Sequence, residues 1–309
     1  MNQPPNQLVE SAKRLLRKFP VLHSSLKSVR KAFQPRSLSV VEPLSPVGIP
    51  ENVEPIAAIV EPSAPPAVVL GKQDRDEVEV LLTKQDWRKL CSQMLNGRGL
   101  EIGPLQKPMC THPGMQMEYI DRCTVAELRA QYPELNELPL VEPQIIGDAE
   151  TLQVVPSNTY DFLIAAHVIE HMRNPIGALS HWLRVIKPGG LLYLVVPDKR
   201  YIFDYHRART SLAHLILDYR QPSRERDFEH YIDFAISPRK KTGEAAIQEA
   251  RDMVESDYSI HFHTFIPTDV VRLLAWFKEN VAPVEILLGP AKIPEDEEFH
   301  FVLRKPLAN

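Results

Sequence analysis

The sequence predicts an α/β fold built on a doubly wound, mostly parallel sheet of seven strands with an antiparallel last strand. Three observations predict it. Short, nearly all-apolar segments recur from residue 99 onward with amphipathic stretches between them, the pattern of parallel strands covered on both faces. The stretch 174–187 carries signals at both helix ends. The final two apolar segments are joined by a connection too short for a helical crossover, so that pair is expected to be antiparallel.

The elements follow in order. Val78, Leu81, Leu82, Trp87, Leu90, Met94 and Leu95 mark one or two helices ahead of Gly97. Strands are expected at 99–103, 117–121, 143–147, 160–166 and 191–196. Between the last two, Asn174 is placed to cap a helix and Pro175 to open it with a preset φ. Lys187 stands near its end, ahead of Pro188-Gly189-Gly190. Ala178, Leu179, Trp182, Leu183 and Ile186 form the face expected to be buried. Val270, Val271, Leu274 and Phe277 mark a further helix, and strands at 284–288 and 299–303 close the sheet across a turn-like 289–298. About 85 residues separate Pro197 from the strand near Val284, where a crossover needs only about a dozen. The excess predicts a helical lid over residues 198–265.

Composition sets this body apart from what precedes it. Of 28 prolines, 11 fall in the first 66 residues, and Val-Glu-Pro recurs at Val41, Val53 and Val60 with irregular spacing. Residues 35–73 therefore read as an extended, proline-rich linker. Ahead of it, Leu8, Ala12, Leu15, Leu16 and Phe19 share one helical face, flanked by Lys13, Arg14, Arg17 and Lys18, with Lys27, Arg30 and Lys31 beyond. Residues 1–34 are a basic amphipathic segment at the head of an extension expected to be disordered. Its stretch 8–33 suits contact with an anionic membrane surface or a partner, against the alternative of a solvated tail. The domain proper is 74–309. A net charge of −4 does not suggest a dedicated nucleic-acid binder. Cys91, Cys110 and Cys123 are odd in number and match no zinc spacing, as in a reduced, cytosolic protein. No run of 18 apolar residues and no secretory signal is present, so a cytoplasmic location is expected, with any membrane contact peripheral.

In an open parallel sheet, ligands bind at the carboxyl ends of the strands where strand order reverses. Four features stand there in sequence order. Leu100-Glu101-Ile102-Gly103-Pro104 is an apolar strand ending in a glycine, where backbone can approach a ligand closely. Asp121 closes the next strand about 20 residues on, the separation of a ribose-binding acid. Gly147-Asp148-Ala149-Glu150 ends the third with carboxylates able to accept from an adenine amino group. The fourth strand runs out into His167-Val168-Ile169-Glu170-His171. Acids commonly end strands, and a lone Asp121 is more often structural. The ordered conjunction is what is specific.

On these residues the chain resembles the class I S-adenosylmethionine-dependent methyltransferases, whose fold is Rossmann-like. Glu101, Gly103 and Pro104 match the first cofactor motif, Asp121 the ribose acid, and Asp148 with Ala149 the adenine-contacting pair. The run 166–171 followed by 184–190 resembles the methyltransferase-11 group. Details of 100–108 and of Val196-Pro197-Asp198-Lys199-Arg200 with Phe203-Asp204 are similar to a bacterial subgroup often associated with glycan or surface-polysaccharide biosynthesis. The resemblance covers residues 95–303 and implies S-adenosylmethionine as cofactor, held by Glu101, Gly103, Pro104, Asp121, Asp148, Ala149, Glu150 and His167. One departure is plain: the family's alternating glycines are replaced after Gly103 by Pro104-Leu105-Gln106-Lys107-Pro108. The missing G-x-G-x-x-G also counts against a nicotinamide dehydrogenase, whose pyrophosphate needs close backbone approach.

The sheet itself supplies no acceptor pocket, so acceptor chemistry is expected from the lid. It holds His206, His214, His230, His261 and His263, five of the chain's 11 histidines. The acceptor is expected to be a small molecule or a glycan, methylated at a hydroxyl oxygen, which needs a general base. His171, His261 and His263 are the candidate catalytic residues. A rival reading has His230, His261 and His263 binding a metal, since a two-residue spacing places imidazoles on one side of a strand; ordinary packing histidines are the third, and no metal ligand is assigned. A methyltransferase-fold binding module without turnover also remains open. Arg200, Arg207, Arg209 and Arg220 could receive an anionic sugar phosphate, although a solvated basic face is the commoner explanation.

Overall fold

The computed structural model describes residues 83–307. The chain divides into units 1–79 and 80–309, and the described residues belong to the second. The amphipathic segment, the proline-rich linker and the apolar positions Val78, Leu81 and Leu82 lie outside the described residues. None of the described helices is long and apolar enough to cross a membrane.

Helix α1 (Lys84–Ser92) opens on a capping box. Thr83 accepts from the Asp86 amide and Asp86 returns the bond to the Thr83 backbone, satisfying donors that a helix start leaves free. Strand β1 (Gly97–Ile102), β2 (Met115–Asp121) and the two-residue β3 (Ile145–Ile146) follow, with helix α2 (Val125–Gln131) after β2. Then come β4 (Tyr160–Ala166), helix α3 (Pro175–Val185) and β5 (Ile186–Pro197). The lid holds α4 (Leu212–Arg220), α5 (Arg224–Ile236) and α6 (Gly243–Glu255), preceded by two 3₁₀ turns at Lys199–Tyr201 and Phe203–His206. Helix α7 (Pro267–Asn280), β6 (Glu285–Ala291) and β7 (Glu298–Arg304) complete the chain.

The seven strands form one sheet in the order β3-β2-β1-β4-β5-β7-β6. Strands β1 to β5 are parallel, while β7 is antiparallel to both β5 and β6. The Rossmann-like reading of the sequence is therefore correct, including the antiparallel last strand. Period-two alternation divides the strands between two cores. Leu163, Ala165, Leu192, Leu194, Phe301 and Leu303 pack with Trp182, Leu273 and Phe277 on one face. Phe162, Ile164, Tyr193, Val195 and Val302 pack with Cys91 and Leu95 on the other. Burial on both faces is why these strands read as continuous apolar runs.

One boundary differs from the sequence reading. Asn174 caps α3, its Oδ1 accepting from the Gly177 amide at 2.9 Å, and Pro175 is the first helical residue. But Pro188-Gly189-Gly190 does not form a turn after the helix. It lies inside β5, where the register against β4 slips between Tyr160 and Phe162. A Cβ at Gly190 would stand 2.5 Å from the Asp161 carbonyl oxygen, so the glycine serves close strand approach. The lid is helical as expected, with a small core of its own formed by Tyr231, Phe234, Ala246, Ala250, Met253 and Phe262.

Candidate functional site

The chain builds β1, β2 and β3 outward in one direction, then returns to add β4 and β5 on the other side of β1. Strand order thus reverses between β1 and β4, and the loops leaving their carboxyl ends flank the switch point. The Gly103 loop leaves β1, and the His167–His171 segment leaves β4.

Gly103 takes φ +58°, a left-handed value that glycine adopts without penalty. Only Asp121 Oδ2, at 4.0 Å, approaches the position a Cβ would occupy there. Leu105 takes φ +47°, so the loop twists a second time where an alternating glycine would stand, at a cost of about 1–2 kcal/mol. Pro104 closes a turn by accepting from the Lys107 amide at 2.9 Å, and Val141 pins Leu105 through a 2.8 Å backbone bond. Glu101 is 1% exposed and accepts from the Met109 amide at 2.9 Å, which ties the loop's return to β1. Burial pushes this carboxyl up to about 7, against the opposing pull of that amide and of Arg88. Gln106 Oε1, in the same loop, is buried without a hydrogen-bond partner.

Asp121 accepts from the Arg122 amide at 2.7 Å, and burial raises its carboxyl above the ordinary value. Asp148 accepts from the Thr151 amide and hydroxyl, both at 2.7 Å. The Ala149 carbonyl receives Trp182 Nε1 at 2.8 Å, which fastens this loop to α3. Glu150 accepts from the Asn174 amide at 3.1 Å, and burial raises its carboxyl too. Glu101, Asp121, Asp148 and Glu150 thus all accept from backbone amides, and Gly103 and Asp121 approach each other at the ends of β1 and β2.

His167 stands in a left-handed conformation, φ +56°. Its Nε2 lies 2.8 Å from Glu298 Oε2 and its Nδ1 4.0 Å from Glu170 Oε1. Glu298 is wholly buried and also engages Arg88 through two bonds of 2.8 and 2.7 Å and Lys84 at 2.9 Å. Burial works to raise its carboxyl, yet His167, Arg88 and Lys84 together hold it well below the usual range. Sequence reasoning missed this residue, because the acidic run 295–298 looks like a solvated turn.

Three candidate catalytic histidines separate into two places. His171 and His261 meet edge to face with ring centroids 4.6 Å apart. His261 Nδ1 is 2.6 Å from Asp204 Oδ2, and Asp204 Oδ1 accepts from Arg207 at 2.9 Å. Burial opposes ionisation of Asp204, but His261 and Arg207 outweigh it and hold the carboxyl low. His261 Nε2 points toward Glu170, 3.9 Å from Oε1. Glu170 is 1% exposed with neither carboxylate oxygen hydrogen-bonded, and burial raises its carboxyl well above the ordinary value. His171 bonds Ser259 Oγ at 3.0 Å; burial, with His261 beside it, lowers it well below the imidazole range.

His263 goes elsewhere. Residues 260–264 form no regular strand, so the two-residue spacing does not put His261 and His263 on one side. His263 lies instead against His230 and His214, with ring centroids at 5.0 and 5.9 Å. Burial lowers His230 to about 4 and His263 to about 3. The rival grouping of His230, His261 and His263 does not form: His261 stands apart, and His230 and His263 meet His214 and Asp218 instead. Of the arginines, Arg207 is buried on Asp204 and Asp233, and Arg200 and Arg209 are paired with Asp198 and Asp269. Cys91, Cys110 and Cys123 form no disulfide.

A family model described as a methyltransferase domain matches residues 75–237, more than half of the chain. No curated protein matches in sequence. Among solved structures, similarity extends to the CurJ carbon methyltransferase, with 14% identity, a TM-score of 0.37, and coverage of 69% of this chain and 49% of that one. This chain therefore spans about half the length of that relative. A Methanosarcina mazei S-adenosylmethionine-dependent methyltransferase shows 19% identity and a TM-score of 0.36 over 69% of this chain and 94% of its own. The plantazolicin methyltransferase BamL, solved with S-adenosylhomocysteine, shows 11% identity and a TM-score of 0.36, covering 67% and 76%. The chain belongs to the methyltransferase domain family.

Proposed function

We propose that this protein transfers the methyl group of S-adenosylmethionine to a hydroxyl oxygen of a small-molecule or glycan-linked acceptor in the cytoplasm, with His261 as general base. The observation that carries this reading is the 2.6 Å contact between His261 Nδ1 and Asp204 Oδ2. A carboxylate on Nδ1 fixes the proton there and leaves Nε2 as the basic nitrogen, the arrangement that orients catalytic imidazoles.

The cofactor fits the residues present. Gly103 leaves open space beside Asp121, a half-buried carboxylate able to receive ribose hydroxyls, and Gln106 brings a partnerless buried oxygen to the same loop. When bound, S-adenosylmethionine would supply an electrophilic methyl group, the electron pair of the carbon–sulfur bond remaining with sulfur. The chain's own part is to hold the acceptor in line, which can contribute several kcal/mol, and to receive its proton at His261 Nε2. Arg207, bonded to both Asp204 and the His261 carbonyl, keeps the pair in place. An exposed aromatic surface adjoins it: Phe203, 52% exposed, tilts over His261 with centroids 4.7 Å apart, between Tyr201 and Tyr205 at 42% and 57%. Apolar faces of a sugar suit such rings, and the hydroxyls of Tyr201 and Tyr205 add polar partners.

The test uses methyl-labelled S-adenosylmethionine with an extract of small hydroxylated and glycan acceptors. His261→Asn is expected to lower turnover by about 10²–10⁴-fold, while calorimetric affinity for S-adenosylhomocysteine stays unchanged. Asp204→Asn is expected to lower turnover and alter its pH profile. Label on nitrogen or carbon in the product, or an undiminished His261→Asn rate, removes the hydroxyl-base reading. Unaltered affinity in Asp121→Ala removes the ribose role of that residue.

A further inference from the structure

The lid contains a second cluster that methyl transfer leaves unused. Asp218 and His214 stand one turn apart on α4, His230 projects from α5, and His263 comes from the segment that carries His261. One ligand atom from each lies within 4.8 Å of the other three. His214 Nε2 is 3.0 Å from His230 Nε2 and 3.0 Å from Asp218 Oδ2. A single proton on His214 cannot serve both. Asp218 Oδ2 makes no hydrogen bond despite its distance, and neither does His263 Nδ1. His263 is wholly buried and Asp218 is 7% exposed. An apolar environment penalises each of these unpaired atoms. Four potential ligand atoms converge here, two of them buried without a partner, the arrangement a bound cation would satisfy.

The surroundings orient these atoms as metal ligands are oriented. His263 Nε2 lies 3.3 Å from the Arg173 carbonyl, which places the ring proton there and turns the free lone pair of Nδ1 inward. Asp218 Oδ1 accepts from Arg226 Nε at 2.8 Å, leaving Oδ2 for the cluster. A tetrahedral ion with bonds of about 2.0–2.2 Å separates its ligand atoms by about 3.3–3.6 Å. Gaps of 3.0 Å open to that value with small side-chain movements.

We infer that His214, Asp218, His230 and His263 form a binding site for one divalent transition-metal ion of the zinc class. Three imidazoles and one carboxylate are the borderline nitrogen and oxygen donors that such an ion takes. With four protein ligands the site is closed, so the ion is structural. It joins α4 to α5 and fixes both to the 260–264 segment, whose His263 amide already bonds the Glu170 carbonyl at 3.1 Å. The ion thereby holds His261 in register with Asp204 from two residues away.

The full chain, stripped with chelator and then dialysed, is titrated with cobalt(II) and with zinc(II). The expected result is one equivalent of cobalt bound, with the visible bands of tetrahedral coordination, displaced by one equivalent of zinc, and a thermal midpoint raised by zinc. His230→Gln combined with His263→Gln is expected to abolish the bands, with circular dichroism reporting that the variant is folded. Asp218→Asn weakens binding in the same fold. No cobalt bands in the stripped wild-type chain, or bands that survive the double substitution, overturn the site. Affinity for S-adenosylhomocysteine, measured on the stripped chain, reports the methyltransferase reading separately.

Discussion

On the α1 side of the sheet and on its lid side, His167 faces two almost fully buried carboxylates that are treated in opposite ways. Glu298 receives Arg88, Lys84 and the His167 Nε2, and is held ionised. Glu170, 4.0 Å from the other ring nitrogen, has no hydrogen bond at either oxygen and is driven toward its neutral form. Glu298 knots α1 and the first residue of β7 to the exit of β4; its charges are spent on one another. Glu170 sits between His167 and His261 with its capacity unspent. The difference teaches where to look for chemistry: saturated charge marks the scaffold, and unsatisfied polar atoms mark the place where something else binds. The lid repeats the lesson, since Arg207 is satisfied by Asp204, Asp233 and the His261 carbonyl while His263 Nδ1 remains unpaired.

Three substitutions sharpen this contrast, in descending order of effect. Glu298→Ala leaves Arg88 and Lys84 beside an uncompensated hole and is expected to cost about 3–5 kcal/mol, read as a shift in denaturant midpoint. Its carboxyl is depressed in the fold, so its stabilisation is present above the unfolded value of 4.5 and disappears as pH falls below it. A loss under 1 kcal/mol breaks the claim that this side is scaffold. Glu101→Gln is the intermediate case, a buried acid with one backbone partner. Because its carboxyl is raised from 4.5 to about 7, the wild type loses stability as pH rises through that window. The glutamine variant does not titrate and is expected to be more stable above pH 7 by up to about 3 kcal/mol. Parallel melting curves across pH 5–8 contradict this. Glu170→Gln is expected to change stability least, within about 1 kcal/mol, because burial already drives this acid toward its neutral form. Rising pH then destabilises the wild type and not the variant; a loss of several kcal/mol in the variant instead assigns Glu170 an ionised structural role.

Much of the fold was legible because its signals are local. Asn174 and Pro175 announced a helix start in two letters, and short, nearly all-apolar runs with amphipathic stretches between them announced a parallel sheet. The short 289–298 connection announced the antiparallel pair. The Pro188-Gly189-Gly190 boundary was misread because those residues signal a turn in isolation, whereas here close packing against Asp161 turns them into a strand irregularity.

The candidate site was legible only in its sheet half. By itself the sequence determined the strand ends that carry Gly103, Asp121, Asp148 and His167, since residue type and spacing along an apolar strand are properties of the local chain. Only the tertiary structure decided which lid histidine serves which purpose. His261 and His263 are two residues apart, yet one meets Asp204 across 57 positions and the other meets His230 across 33. Their fates depend on how three lid helices pack against the β4 exit, and contacts so distant in sequence leave no periodic trace in the chain.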